Sequence, residues 1–171
     1  VKEGIGSQEV MNFLILTALN LTSVENPDWK NVAGRLKLFD LYKKTALARN
    51  CNHCYDRLYD YPVFLQQMWA DGCYDREWQA AEELAEAGTF IKPAYDLVYD
   101  YAGINLLIKR YLCEYNDRIA ELPQEMFLTI ALLIEQNEKP ENRMAQVKDT
   151  YEKLANRKIS LATPLLMNLR R

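Results

Sequence analysis

Cys51-Asn52-His53-Cys54 is the densest group of chemistry-bearing side chains, two thiols flanking the only histidine. Thiolate and imidazole suit zinc, so one reading is half of a zinc site, with Cys73 as a further ligand supplied by the fold. A strong zinc pattern needs a second pair, and there is neither a second CxxC nor a second histidine. A thioredoxin-like dithiol needs a strand ahead of the motif, whereas the residues before it are helical in pattern. The four residues therefore read as a solvent-facing loop at a helix end, and no metal ligand is assigned.

Other candidates fare no better. Glu77, Glu82, Glu83 and Glu86 gather largely on one helical face beside Arg76, but a di-iron bundle requires Glu-x-x-His pairs, so this is a solvated face. Cys113, inside an apolar stretch, reads as a small buried hydrophobe. The 11 tyrosines read as core residues with a polar tip at the surface. No Gly-rich phosphate loop, Walker motif or Ser-His-Asp set is present. No catalytic and no cofactor-binding residue is assigned.

The elements that would position any site are helices. Ser7 is expected to cap the first, with Val10, Leu14, Ala18 and Leu21 as its apolar stripe. Asn26-Pro27 starts a second, running to about Arg49, with Val32, Leu36, Phe39 and either Leu41 or Lys43 deciding its buried edge. Asp60 and Pro62 open a third that ends at Gly72. Asp75 to Ala87 forms a fourth, stopped by Gly88. Tyr95 to Glu114 reads as one long helix with Val98, Tyr101, Ala102, Leu106 and Tyr111 inward. Pro123 leads into Met126, Phe127, Ile130 and Ile134, and Pro140 into Met144, Val147, Tyr151 and Leu154. Tyr55–Tyr61 echoes Tyr95–Tyr101, an echo too short for a repeat fold and explained by Tyr and Asp both suiting helix starts. The fold class is all-α, a single orthogonal or irregular bundle of about seven helices with a C-terminal extended strand.

Composition agrees. A chain of 171 residues can bury one good core, and 49% hydrophobic with 26% charged residues is ordinary for a globular protein. A net charge of −3 gives no reason to expect nucleic acid or an anionic membrane as partner. Runs such as Phe13-Leu14-Ile15-Leu16 fall short of the ~20 residues of a membrane span. Without a secretory signal, the expected location is cytoplasmic. A chain that opens on Val1 is expected to be part of something longer.

The run from Ile159 to Arg171 departs from the helical pattern. It reads as an extended segment with Thr163-Pro164 in its middle and nothing to pair against. Lys158-Ile159-Ser160-Leu161-Ala162-Thr163-Pro164 followed by Asn168-Leu169-Arg170 resembles the start of the catalytic barrel in ribonucleotide reductase large subunits. Asn26-Pro27-Asp28-Trp29-Lys30-Asn31-Val32-Ala33-Gly34-Arg35-Leu36 is similar to that family's helix after the regulatory cone. Tyr101-Ala102-Gly103 with Leu107, Tyr111 and Leu112 resembles a third block, in family order.

The resemblance implies three parts: residues 1–24 as the closing helix of the ATP-cone region, 25–157 as the helical N-terminal domain, and 158–171 as the first barrel strand. It implies a parent that reduces ribonucleotides to deoxyribonucleotides by thiyl-radical chemistry, an oxidoreductase of DNA precursor synthesis. It assigns Thr163, and more weakly Ser160, to binding the substrate diphosphate. The alternative is that Thr163 only caps a turn. The implied cofactors and partners are a dithiol reductant, the nucleotide effectors ATP, dATP and dNTPs, a radical-generating small subunit or cofactor, the chain's own barrel, a second large subunit and the ribonucleoside diphosphate. The family's radical-forming and redox cysteines would lie beyond Arg171, and its transfer tyrosines in the barrel. Cys51, Cys54, Cys73 and Cys113 match none of its motifs, so residues 1–171 alone are expected to be inactive. Two other readings stay open: a stand-alone helical interaction module, and a small zinc domain organised by Cys51, His53 and Cys54.

Overall fold

Five of the eight α-helices among the described residues begin with an Asp side chain that accepts a first-turn amide or with proline in the first turn, where proline's missing amide donor costs nothing. The computed structural model describes residues 4–55, 59–75 and 81–170. The α-helices are α1 (Ser7–Asn20), α2 (Trp29–Ala48), α3 (Tyr61–Ala70), α4 (Ala81–Gly88), α5 (Tyr101–Arg110), α6 (Pro123–Ile134), α7 (Pro140–Ala155) and α8 (Thr163–Asn168). Short 3-10 turns occupy Pro93–Val98 and Glu135–Asn137. The architecture is the expected all-α bundle.

At its centre lies α6, in which every residue from Pro123 to Leu133 is buried. A helix this apolar, its polar residues being Gln124, Glu125 and Thr129, must sit inside the protein. The helix α7 packs against it through Val147, Tyr151, Leu154 and Ala155, all buried. The helix α4 bridges α3 and α7, while α2 carries α1 and crosses the start of α5. That crossing is close because residue 34 is glycine. A Cβ at Gly34 would lie 2.7 Å from the Asp100 carbonyl carbon and 2.8 Å from the Tyr101 nitrogen.

Both halves of the Tyr-Asp echo end in a helix cap. Asp60 Oδ1 accepts from the Val63 amide at 3.2 Å, and Asp100 Oδ1 from the Gly103 amide at 2.9 Å. Residues 56–58 of the first copy lie outside the described residues. Gly72 closes the stretch after α3 with φ +70°, the left-handed conformation expected of a glycine there.

Four expectations are corrected. The single helix from Tyr95 to Glu114 is interrupted: the 3-10 turn ends at Val98, Tyr99 is extended, and Asp100 caps a new helix. Its buried residues are Ile104 and Leu107, and Tyr111 just after it is buried as expected, whereas Val98, Ala102 and Leu106 are exposed, so most of the inward face is displaced from the expected one. The stretch then closes in a hairpin, β1 (Glu114–Tyr115) antiparallel to β2 (Arg118–Ile119). Asn116 and Asp117 both have positive φ, the geometry of a tight hairpin turn matched to strand twist.

The C-terminal strand is the second correction: Thr163 to Asn168 is the helix α8. Pro164 sits in its first turn, where it removes no hydrogen bond, and Leu165, Leu166 and Met167 are good helix formers. Third, α1 buries Ile15 and Ala18 but leaves Val10, Leu14 and Leu21 exposed, and Gly6 rather than Ser7 precedes its first turn. Phe13 at 68% and Leu16 at 59% exposure make α1 apolar on its open side as well. With apolar residues all round, its sequence could not say which side faces α2. Fourth, α2 buries Leu38 and, of the two expected alternatives, Leu41 rather than Lys43, while Val32 and Phe39 are exposed. The start of the fourth helix, before Ala81, includes residues 76–80, which lie outside the described residues.

Candidate functional site at the C-terminal helix

Thr163, the residue singled out by sequence, is the first residue of α8 and is exposed. Ala162, extended at φ −61° and ψ 145°, turns the chain into the helix. The Thr163 hydroxyl lies 3.3 Å from the Tyr111 hydroxyl. Ser160 is exposed on the irregular stretch just before. The site thus presents one anchored hydroxyl and one unanchored one on the same segment.

What fixes this segment is Arg170, just past the end of α8, whose side chain is wholly buried against an equally buried Glu121. Arg170 Nε lies 2.9 Å from Glu121 Oε1, and Nη2 donates to Oε2 at 3.2 Å. Nη2 also donates to the Tyr111 carbonyl and Nη1 to the Leu166 carbonyl, each at 2.8 Å. Glu121 accepts further bonds from the Tyr74 hydroxyl and, at 2.8 Å, from the Cys113 amide. Burial opposes the Arg170 charge, but Glu121 outweighs it and the guanidinium's pKa is raised. A buried pair needs its donors and acceptors satisfied; both Nη atoms and both carboxylate oxygens are hydrogen-bonded, while Arg170 Nε makes only the ion-pair contact. On the other flank the Arg170 carbonyl accepts from the Asp75 amide at 3.0 Å.

Two more polar clusters hold the helices behind this segment. Arg49, after α2, meets Glu125 of α6 in a two-pronged pair, with Nη1 to Oε1 at 2.8 Å, and its Nε donates to the Ala120 carbonyl at 2.8 Å. Its guanidinium lies 4.5 Å over the Phe64 ring. Asp96 accepts from the Tyr42 hydroxyl and, at 2.7 Å, from Gln124 Nε2. Burial pushes the Asp96 carboxyl up to about 7, the two hydrogen bonds work against that, and the Glu125 charge adds to it. Gln124 in turn accepts from Tyr151 at 2.7 Å, and the Tyr151 hydroxyl accepts the Lys92 amide at 3.0 Å.

Sequence reading missed all three clusters. Each pairs residues 28 to 76 positions apart. The available signal was Gln124-Glu125 at the head of an apolar run, polar residues where the pattern demands burial.

The CxxC loop is a separate place. Cys51 is exposed, while Cys54 is buried and donates to the Tyr42 carbonyl at 3.9 Å. Burial, the largest influence, pushes the Cys54 thiol up to about 12; Arg49 works against it and Glu125 with it. Cys73 donates instead to the Glu114 carbonyl at 3.6 Å. No group of three or more His, Cys, Asp or Glu among the described residues is arranged to hold a metal ion. Of the acidic face, Glu83 pairs with Arg143 at 2.9 Å, Glu82 and Glu86 are exposed, and Arg76 and Glu77 lie outside the described residues. No helix among the described residues is long and apolar enough to cross a membrane.

Comparison with known proteins identifies the segment. Residues 97–171, which contain Tyr111, Glu121, Thr163 and Arg170, match the family described as ribonucleotide reductase, all-alpha domain. The ribonucleoside-diphosphate reductase subunit alpha of Synechocystis is 41% identical across 99% of this chain and 21% of its own length. The Treponema pallidum subunit alpha is 32% identical across 99% of the chain and 20% of its own length. The Escherichia coli reductase 1 subunit alpha is 30% identical, with 98% and 22% covered. The chain thus spans about a fifth of the length of the curated relatives it matches. Matched along almost its whole length to these subunits, and folded as the all-α bundle that the family description names, the chain belongs to the ribonucleotide reductase large-subunit family, as its N-terminal helical part.

Proposed function

We propose that these residues serve as the helical N-terminal part of a ribonucleoside-diphosphate reductase that converts ribonucleotides to deoxyribonucleotides for DNA synthesis. The observation that carries this is 41% identity to a reductase subunit alpha across 99% of the chain. The parent acts by thiyl-radical chemistry, with a dithiol reductant supplying the electrons. A radical-generating small subunit, a second large subunit and nucleotide effectors are its partners. Residues 1–24 close a regulatory cone, 25–157 form the helical domain, and 158–171 hand the chain to the catalytic barrel.

Within that protein the bundle's task is to hold the Thr163 segment where substrate binds. A threonine hydroxyl donates well to a phosphate oxygen, which can only accept, and Thr163 is exposed enough to do so. Ser160, on the same segment, is a second donor for the same diphosphate. None of the four cysteines takes a redox part. A thiol held at a pKa of about 12, as Cys54 is, stays protonated at neutral pH and is a poor nucleophile.

The test is reduction of CDP by the full-length protein that carries this chain, with a dithiol and the small subunit supplied, beside residues 1–171 alone. Turnover by the full-length protein and none by the fragment is expected. Dithiol-dependent turnover by the fragment, or none by the full-length protein, would overturn the reading.

A further inference from the structure

Tyr111 touches both ends of the C-terminal helix. Its hydroxyl is 3.3 Å from Thr163 Oγ1 at the start of α8, and its carbonyl accepts from Arg170 Nη2 at 2.8 Å beyond the end. Tyr111 is itself immobilised: its amide donates to the Leu107 carbonyl at 3.0 Å, ending α5, and its side chain is buried. Arg170 is locked in turn by the wholly buried Glu121. A hydroxyl on an exposed helix end, which would otherwise rotate freely, is therefore referenced to the core through one phenol.

Proton accounting gives the direction of that bond. Threonine has one hydroxyl hydrogen, and a phosphate oxygen can only accept. If Thr163 donates to substrate, its Oγ1 must accept from Tyr111, whose hydroxyl makes no other hydrogen bond among the described residues. The phenol thus holds the threonine hydroxyl at one orientation and leaves its hydrogen facing outward.

We propose that Tyr111 is a positioning residue for diphosphate binding, acting through Thr163; the inference rests on the assignment of Thr163 to the substrate diphosphate. Orienting the donor before substrate arrives lowers the ordering cost of binding, so its loss weakens affinity and leaves the chemical step alone.

The experiment uses the full-length reductase carrying this domain, with CDP as the varied substrate. Tyr111→Phe keeps the ring and removes the hydroxyl. It should raise KM roughly 2–10-fold, the range of one neutral hydrogen bond, with kcat within about twofold. Thr163→Val should raise KM at least as much, Thr163→Ser should restore most of the binding, and adding Tyr111→Phe to Thr163→Val should change nothing further. An unchanged KM in Thr163→Val overturns the substrate assignment beneath the inference. A raised KM in Thr163→Val with an unchanged KM in Tyr111→Phe overturns the positioning role alone. So does a double variant in which the two effects multiply, or a Tyr111→Phe enzyme that loses kcat at constant KM, as a merely structural tyrosine would.

Discussion

Single residues show where this bundle departs from an apolar core, and Asp96 does so with a consequence for pH. Buried against Tyr42 and Gln124, its carboxyl is pushed up to about 7 from an ordinary 3.8. Between those values the folded chain retains a proton that the unfolded chain has lost. Folding is thus linked to proton uptake, and the contribution of Asp96, fully present below about 3.8, is lost as pH rises through about 7. The slope is at most about 1.4 kcal/mol per pH unit. Asp96→Asn offers an acceptor to Gln124 and a donor to Tyr42, and carries no charge. Relative to wild type it should therefore gain stability from pH 4 to pH 7, read from urea unfolding at several pH values. A difference that stays flat across that range would count against a neutral buried carboxyl. Nothing in the local sequence marks Asp96 as special, because its environment is made by Tyr42, 54 positions earlier, and Gln124, 28 later.

At the scale of elements, the crossing of α2 over the start of α5 depends on a missing side chain. Gly34→Ala would place a methyl against main-chain atoms of Tyr99, Asp100 and Tyr101, which cannot rotate away. The two segments must separate, at a cost of roughly 1–3 kcal/mol typical of overpacking. Thermal unfolding should show the loss, and a Tm equal to wild type would mean that the crossing is looser than described. Elements were legible in the sequence wherever a proline or an Asp cap marks a start: α3, α6 and α7 begin at or beside the expected residues. The same rule applied to Pro164 would have turned the expected strand into α8. What the pattern could not show was the inward face of a helix apolar on several sides, such as α1, or the break at Tyr99. Thr163 was found through family likeness, whereas its partner Tyr111 was read only as a core contact. Contacts between residues 52 positions apart leave no periodic trace.

For the molecule as a whole, the Glu121–Arg170 pair ties the far end of the chain to the residues that follow the hairpin. Arg170→Met would leave a carboxylate buried without a counter-charge and should cost about 3–5 kcal/mol. Adding Glu121→Gln keeps an acceptor for the Cys113 amide, turns an NH2 donor toward the Tyr74 hydroxyl, leaves no charge behind, and should restore much of the loss. Urea midpoints of the two variants check this, and a double variant no better than the single would mean that packing, not charge, dominates. The pair also has a meaning in time. Arg170 leaves the ribosome 49 residues after Glu121, a delay of roughly 2–10 s at ordinary rates of synthesis. Through that interval the nascent chain has its central helix but no cation for the carboxylate that must be enclosed beside it. The bundle can seal only when translation has passed the segment that carries Thr163.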